Sequence, residues 1–319
     1  MGDMAQMQII ENTTEFHIPE KTAIAIGKFD GIHRGHKAVF ACLKDAQNEG
    51  LKTAVFTFSP SPAVYFGGKN IKELTTDAEK RQLFEEMGID YLVEYPFGSK
   101  TAAVAPDSYV ADFLLGRMNG ALLVAGEDVS FGKGGKGDKT LLESLSVEYG
   151  FALRIIPKLT FGNREISSTF VREEVVAGNM EKAAELLGDA FFVSGTVENG
   201  KKLGRKLGMP TANLYPSGDK LLPPNGVYFS LVERMGKCYP GVTNIGCRPT
   251  VEDGNRISVE TCLFDFSEDI YGEEIRVRLL HFQRPERKFE SVEQLKAAVE
   301  QNIAEAKEYF DRDICRDIF

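Results

Sequence analysis

From residue 21 to about residue 188 the chain repeats one pattern: a short apolar run, a segment with apolar residues at helical spacing, and a glycine at the join. The apolar runs are Ala23–Ile26, Leu51–Phe58, Ile89–Tyr95, Ala121–Ala125 and Phe151–Ile156, and the last four follow Gly50, Gly88, Gly120 and Gly150. Each glycine suits the position just past a helix C-terminus, where the backbone turns left-handed. Five strands with four intervening helices predict an α/β doubly wound parallel sheet, and in such a sheet ligands gather at the carboxyl ends of the strands. Thr169–Gly178 and Met180–Gly188 read as two further helices.

Beyond about residue 190 the period changes. Phe192–Val197, Val227–Val232, Val242–Ile245, Ile257–Asp265 and Glu274–Phe282 are short alternating runs separated by turns, which predict a compact antiparallel β-sheet or β-barrel. A C-terminal helix follows, with Ser291 and Gln294 as a capping box and Val292, Leu295, Val299, Ile303 and Phe310 as one apolar stripe for core packing. The change of period places one domain at 1–188 and a second at 189–319.

With 43% apolar and 27% charged residues, and no apolar run near the roughly 20 residues of a membrane span, the composition is that of a soluble globular protein. The segment Met1–Met7 has neither a basic region nor an apolar one, so a cytoplasmic protein is expected. Five scattered cysteines without a CxxC pair argue against a disulfide framework and a zinc site. A formal net charge of −9 offers no general attraction to nucleic acid, so phosphate recognition must be local and the partners small molecules. The sequence leaves the oligomeric state open.

The first local candidate is Gly27-Lys28-Phe29-Asp30-Gly31-Ile32-His33-Arg34-Gly35-His36, which joins the first strand to a helix carrying Val39, Phe40, Leu43 and Ala46. A short glycine-rich motif of this kind is often only a turn and a cap. Here, however, Gly27, Gly31 and Gly35 allow close backbone approach, the helix N-terminus directs unpaired N–H groups at an anion, and His33 and His36 share one face of the first turn. Asp128, in Gly126–Gly132 at the end of the fourth strand, belongs to the same end of the sheet. Ile166–Arg172 adds Ser168, Thr169 and Arg172, either an ordinary N-cap or a set of hydroxyls and a guanidinium suited to a triphosphate. No GxxxxGK[ST] occurs, which excludes a P-loop.

The second candidate is Gly195–Gly200 followed by Gly204-Arg205-Lys206-Leu207-Gly208-Met209-Pro210-Thr211-Ala212-Asn213-Leu214. It reads either as a turn between strands or as a loop in which Gly200, Gly204 and Gly208 fold over phosphates. In the second reading Thr211 and Asn213 present two oxygens on one face of an extended segment, a donor set suited to Mg²⁺. Arg205 is open between nucleotide binding and pairing with an acid. Glu260, in the alternating run Ile257–Leu263, is either a solvated strand carboxylate or a base.

The first motif resembles the GxFDGxHxGH signature of bacterial FAD synthetases, and Ile166–Arg172 is similar to their ISSTxxR motif. Gly204–Asn213 resembles the riboflavin kinase signature GRxLGxPTAN, a likeness that continues through Asn225–Tyr228, Asn244–Thr250, Glu260 and Asp269–Gly272. The order and spacing of both sets resemble the bifunctional riboflavin kinase/FAD synthetases over nearly the whole chain. That resemblance implies a Rossmann-like FMN adenylyltransferase domain and a β-barrel riboflavin kinase domain. It implies phosphorylation of riboflavin to FMN with ATP and adenylylation of FMN to FAD, with magnesium as cofactor. His33 and His36 would contact ATP phosphates and help to neutralise developing charge. Gly27, Phe29, Asp30, Gly31, Gly35, Asp128, Ser168, Thr169 and Arg172 would form the first nucleotide site. Thr211 and Asn213 would hold MgATP, and Glu260 would be the general base.

Two positions depart from that family. Ser61 stands where a Pro-His-Pro histidine is usual, and Val129 replaces an aromatic in an Asp-Phe-x-Phe-Gly segment. They leave open a chain that is a riboflavin kinase only, with a nucleotide- or flavin-binding first half. A non-catalytic flavin sensor is the third reading, and the Glu260, Thr211 and Asn213 set argues against it.

Overall fold

The computed structural model describes residues 6–67, 71–198, 211–250 and 254–311. The chain divides into two compact units, Met1–Ser168 and Thr169–Phe319.

The first unit runs β1 (Gln8–Glu11), β2 (Thr22–Ile26), α1 (Arg34–Asn48), β3 (Lys52–Ser59), α2 (Pro62–Gly67), α3 (Asp77–Glu86), β4 (Tyr91–Pro96), α4 (Ser99–Ala102) and α5 (Pro106–Ser108). A π-helical segment, Tyr109–Arg117, precedes β5 (Gly120–Gly126), α6 (Lys139–Tyr149), β6 (Ala152–Ile156) and a small hairpin, β7 (Thr160–Phe161) with β8 (Arg164–Glu165). Strand order is β1-β4-β3-β2-β5-β6, and every pairing in it is parallel. The five expected strands are present. The sixth, β1, was not legible, because four largely exposed residues pair only with β4 and carry no pattern of their own.

Both faces of this sheet are buried, as parallel pairing requires. Ala23, Ala25, Val55 and Leu92 pack with Phe40, Leu43 and Phe84, whereas Ile24, Ile26, Phe56 and Val93 pack on the other side with Tyr109, Phe113 and Leu142. Three of the four join glycines do turn left-handed, with φ of 94° at Gly50, 72° at Gly88 and 75° at Gly150. At the other join Asn119 takes that conformation, with φ of 50°. Gly120 serves close packing instead, since a Cβ there would lie 2.8 Å from both the Leu114 carbonyl oxygen and Ile24 Cδ1.

The chain leaves β2 for β3 and β4 on one side and returns through β5 and β6 on the other. The carboxyl end of β2 is therefore the topological switch point, where open α/β sheets form their ligand crevice. The Gly27–His36 turn begins at that end.

The second unit contains α7 (Ser168–Ala177) after its first residue, then α8 (Met180–Leu187), β9 (Phe191–Thr196), β10 (Ala212–Leu214), β11 (Gly226–Arg234), β12 (Lys237–Thr250), β13 (Gly254–Leu263), β14 (Glu274–Pro285) and α9 (Val292–Asp311). The change of period at residue 188 thus falls two helices after the division into compact units. The helix α8 packs on β9 and β14, and its Met180, Ala183 and Leu186 are buried.

The strands form an antiparallel sheet in the order β10-β13-β12-β11-β14-β9. Its two edges meet where the Glu198 N–H donates to the Asn213 carbonyl at 2.9 Å, so the sheet curls toward a barrel. On one face the Thr243 hydroxyl lies 2.7 Å from both Ser230 Oγ and Thr261 Oγ1. On the opposite face α9 packs against Val227, Phe229 and Val242 through Ile303, Ala306, Tyr309 and Phe310. Val292 of the expected stripe is 54% exposed, and the buried positions of α9 are Ala298, Asn302 and Ala306. The Gln294 N–H donates to Ser291 Oγ at 3.2 Å, while the Gln294 side chain reaches back to the Glu290 amide rather than to that of Ser291.

Candidate active sites

The turn after β2 is held in an unusual backbone. Phe29, Gly31 and Ile32 all have positive φ, of 50°, 85° and 41°. Such a run persists only where surrounding contacts over-determine it. Asp30 Oδ1 accepts the Leu74 and Thr75 amides at 2.7 and 3.2 Å, the Gly31 N–H donates to Thr75 Oγ1 at 3.0 Å, and Ser168 Oγ donates to the Asp30 carbonyl at 2.8 Å. The Phe29 ring is buried, 4.9 Å from Phe40 and 5.2 Å from His36 between centroids. Phe29 and Asp30, expected at the nucleotide, therefore spend their side chains on core packing and on shaping the turn.

His33 caps α1, its Nδ1 accepting the His36 amide at 3.4 Å. That bond puts the ring proton on Nε2, leaving an N–H donor. The His36 ring stacks on it at 3.8 Å with planes 16° apart. Gly35 allows this stack, because a Cβ there would lie 3.1 Å from His33 Cε1. Burial lowers His33 from 6.5 to about 4 against a raising influence from Asp128, and burial followed by repulsion from His33 lowers His36 to about 3. Both rings are thus neutral near pH 7 in the free protein, and they offer anions hydrogen bonds rather than formal charge. The Nδ1 atom of His36 is buried without a hydrogen-bond partner among the described residues.

Asp128 is exposed, 3.7 Å from Lys158, and faces His33 closely enough to influence its titration. Ser61 caps α2, accepting the Val64 amide at 3.4 Å, so this departure from the family pattern has a local structural role. Val129 packs against the apolar cluster on one sheet face. Thr169 is exposed and Arg172 half-buried on α7, in the second unit.

An aromatic group beside this turn was missed by sequence reasoning. Phe58, Tyr65, Phe66 and Phe97 cluster at the carboxyl ends of β3 and β4, with Phe97 5.0, 5.4 and 5.8 Å from the other three in that order. Phe66 remains 71% exposed. The adjacent Tyr65 and Phe66, just after a Pro-rich turn at a strand end, were the available signal.

In the second unit, register brings the expected residues together. Asn213 on β10 is directly opposite Glu260 on β13, and Glu260 is directly opposite Asn244 on β12. Opposed residues of antiparallel strands share a face with Cβ atoms about 5 Å apart, so these three side chains form one row. Asn213 Nδ2 donates to the Thr211 carbonyl at 3.0 Å and lies 3.5 Å from Thr211 Oγ1. That orientation directs Asn213 Oδ1 away, and this oxygen is buried without a hydrogen-bond partner among the described residues. Ser258 Oγ donates to Glu260 Oε1 at 3.0 Å. Asn244 joins the site only through pairing across β12, which no local pattern encodes. Gly200, Gly204, Arg205 and Gly208 lie outside the described residues.

The FAD synthetase family model matches residues 15–170, and the riboflavin kinase family model matches residues 187–310. Three curated relatives share the name bifunctional riboflavin kinase/FMN adenylyltransferase. The protein from Listeria monocytogenes serovar 1/2a is 35% identical over 93% of this chain and 95% of its own. Those from Bacillus subtilis and Escherichia coli K12 are 36% and 37% identical, each over 91% of this chain and 93% of its own. A crystal structure described as a macrolide-efflux protein from Streptococcus pneumoniae has a TM-score of 0.82 at 29% identity, covering 94% of this chain and 98% of that one. Among the described residues no helix is long and apolar enough to cross a membrane.

Proposed function

Because this chain belongs to the family of bifunctional riboflavin kinase/FMN adenylyltransferases, we propose that it converts riboflavin to FMN and FMN to FAD, each with ATP. The observation that carries the reading is the presence of two separate reactive constellations, the stacked His33–His36 pair and the Asn213–Glu260–Asn244 row. The functional boundary is placed at 188/189, close to the start of the riboflavin kinase match at 187.

In the first site an FMN phosphate oxygen attacks the α-phosphorus of ATP in line, and pyrophosphate leaves. The neutral imidazoles donate hydrogen bonds to phosphate oxygens as charge shifts to the leaving group, and the N-terminus of α1 adds its partial positive charge. Gly27, Gly31 and Gly35 let the backbone and the His33 ring approach. Asp128, whose charge reaches His33, belongs to the same nucleotide site. The aromatic group at Phe58, Tyr65, Phe66 and Phe97 supplies flat apolar surface for the flavin ring.

In the second site the riboflavin 5′-hydroxyl attacks the γ-phosphorus, with Glu260 accepting its proton. The Ser258 hydroxyl bond to one carboxylate oxygen orients Glu260 for that transfer. The unpartnered Asn213 Oδ1 and neighbouring Thr211 Oγ1 are hard oxygen donors that fit Mg²⁺. When bound, Mg²⁺ neutralises phosphate charge there. Phosphate binding by Gly200, Gly204, Arg205 and Gly208 rests on the sequence resemblance alone, since they lie outside the described residues. A cytoplasmic location belongs to the same reading.

Chromatography of products from purified protein with MgATP and either riboflavin or FMN tests the proposal. FMN from the first reaction and FAD from the second support both activities. FMN alone favours the kinase-only reading that Ser61 and Val129 raise, and no product in either reaction rejects the assignment.

A further inference from the structure

The Asp30–Gly31 peptide group is gripped at both ends. Its carbonyl accepts Ser168 Oγ at 2.8 Å, and its N–H donates to Thr75 Oγ1 at 3.0 Å. The Asp30 side chain is fixed separately, by the Leu74 and Thr75 amides. Thr75 therefore contacts the turn twice, through its own amide and its hydroxyl, from the loop before α3, and it is only 4% exposed.

That grip falls where the backbone most needs it. Positive φ at Phe29 and Ile32 places two conformations disfavoured for L-residues within four residues, on either side of Gly31 and directly before the N-cap His33. Rotating the Asp30–Gly31 peptide by half a turn would bring Gly31 toward ordinary φ, but it would break both hydroxyl bonds. Ile32 and the N-cap His33 follow directly, and the His33 ring holds the His36 amide, so losing the grip loosens the segment that carries both imidazoles. Ser168 adds a chemical constraint. A serine hydroxyl has one hydrogen, and here it is donated to the Asp30 carbonyl. The lone pairs that remain accept hydrogen bonds and have nothing to offer a phosphate oxygen.

We propose that Thr75 is a positioning residue for adenylyl transfer, acting with the Ser168 hydroxyl to lock the Asp30–Gly31 peptide in the orientation that sets the His33–His36 pair. This rests on the reading of the first unit as the adenylyltransferase. Ser168 then acts on the backbone of the turn instead of on ATP, which separates it from the phosphate-binding role its motif suggests.

The test compares Thr75→Val, which keeps shape but removes the acceptor, with Thr75→Ser, which restores it. For Thr75→Val, kcat for FAD formation is expected to fall about tenfold or more with KM for ATP changed less than about threefold, because a misplaced group costs turnover rather than binding. Thr75→Ser returns kcat to within about threefold of the parent. Urea unfolding of the same preparations reports folding of the first unit, and phosphorylation of riboflavin reports that of the second. Side-chain ¹⁵N spectra of His33 and His36 read the positioning without turnover, and Thr75→Val is expected to shift both. Ser168→Ala should lower kcat with little change in KM. A raised KM for ATP at unchanged kcat in Ser168→Ala would put that hydroxyl on the phosphates and overturn the proposal. So would unchanged imidazole spectra in Thr75→Val, a result that holds even if the parent protein makes no FAD. If Thr75→Val does not fold, Ser168→Ala carries the same decision.

Discussion

The rings of His33 and His36 stack 3.8 Å apart, one helical turn from each other, so that a charge on either ring opposes a charge on its neighbour. Burial adds to this and draws the pair down to about 4 and about 3 from an ordinary 6.5. The pair titrates as a unit, and near pH 7 it is neutral. Histidine NMR should therefore show two imidazoles that remain unprotonated down to about pH 5. Both folded values lie below the unfolded one, so the unfolded chain binds more protons in the interval. Their contribution to stability is complete above about pH 6.5 and is lost as pH falls toward 4 and then 3. Urea unfolding at pH 5 and pH 7 should show this slope, flattened in His33→Gln/His36→Gln.

Gly35→Ala separates stability from activity. Alanine at this helical position favours folding by up to about 1 kcal/mol, but its Cβ would lie 3.1 Å from His33 Cε1 and 3.2 Å from Nδ1. The ring must move. FAD formation is expected to fall about tenfold while the urea midpoint stays level or rises.

Glu260→Gln keeps the size of the side chain and removes its basicity. FMN formation should drop by about 10² or more. The substrate KM values should change little, since the amide still fills the row between Asn213 and Asn244. A variant with near-parental turnover would remove Glu260 from the role of base.

Asn213→Leu deletes the unpartnered Oδ1 together with the bond to the Thr211 carbonyl. The Mg²⁺ concentration for half-maximal riboflavin phosphorylation should rise about tenfold, while Asn213→Asp, which keeps an oxygen donor, should recover most of the affinity. An unchanged Mg²⁺ dependence in Asn213→Leu would exclude Asn213 as a ligand.

Phe66 is 71% exposed, so Phe66→Ala should leave stability within about 0.5 kcal/mol of the parent. Loss of its ring face should raise KM for FMN in adenylyl transfer by roughly three- to tenfold. Phosphorylation of riboflavin should be unaffected, because Phe66 lies in the first unit.

Much of the architecture was readable from local pattern. Uninterrupted apolar runs such as Ala23–Ile26 mark strands buried on both faces, and alternating runs such as Ile257–Leu263 mark strands of a sheet with two different faces. The short β1 was not readable, nor was the exposure of Val292, because both depend on what lies alongside. The limits of the compact units depend likewise on the packing of α8 against β9 and β14.

The sites divide in the same way. Sequence alone determined which residue types each candidate site offers: the two histidines, the glycines around them, and Thr211, Asn213 and Glu260. Tertiary structure alone decided what each one touches. It turned Asp30 and Phe29 inward, gave Gly35 the task of admitting an imidazole, and set Asn244 beside Glu260. The physical reason is separation along the chain. The bonds that hold Asp30 and Gly31 come from residues 44, 45 and 138 positions away. The Asn213–Glu260–Asn244 row exists only because three strands pair in one register, where a slip of a single residue would turn its side chains to the opposite face.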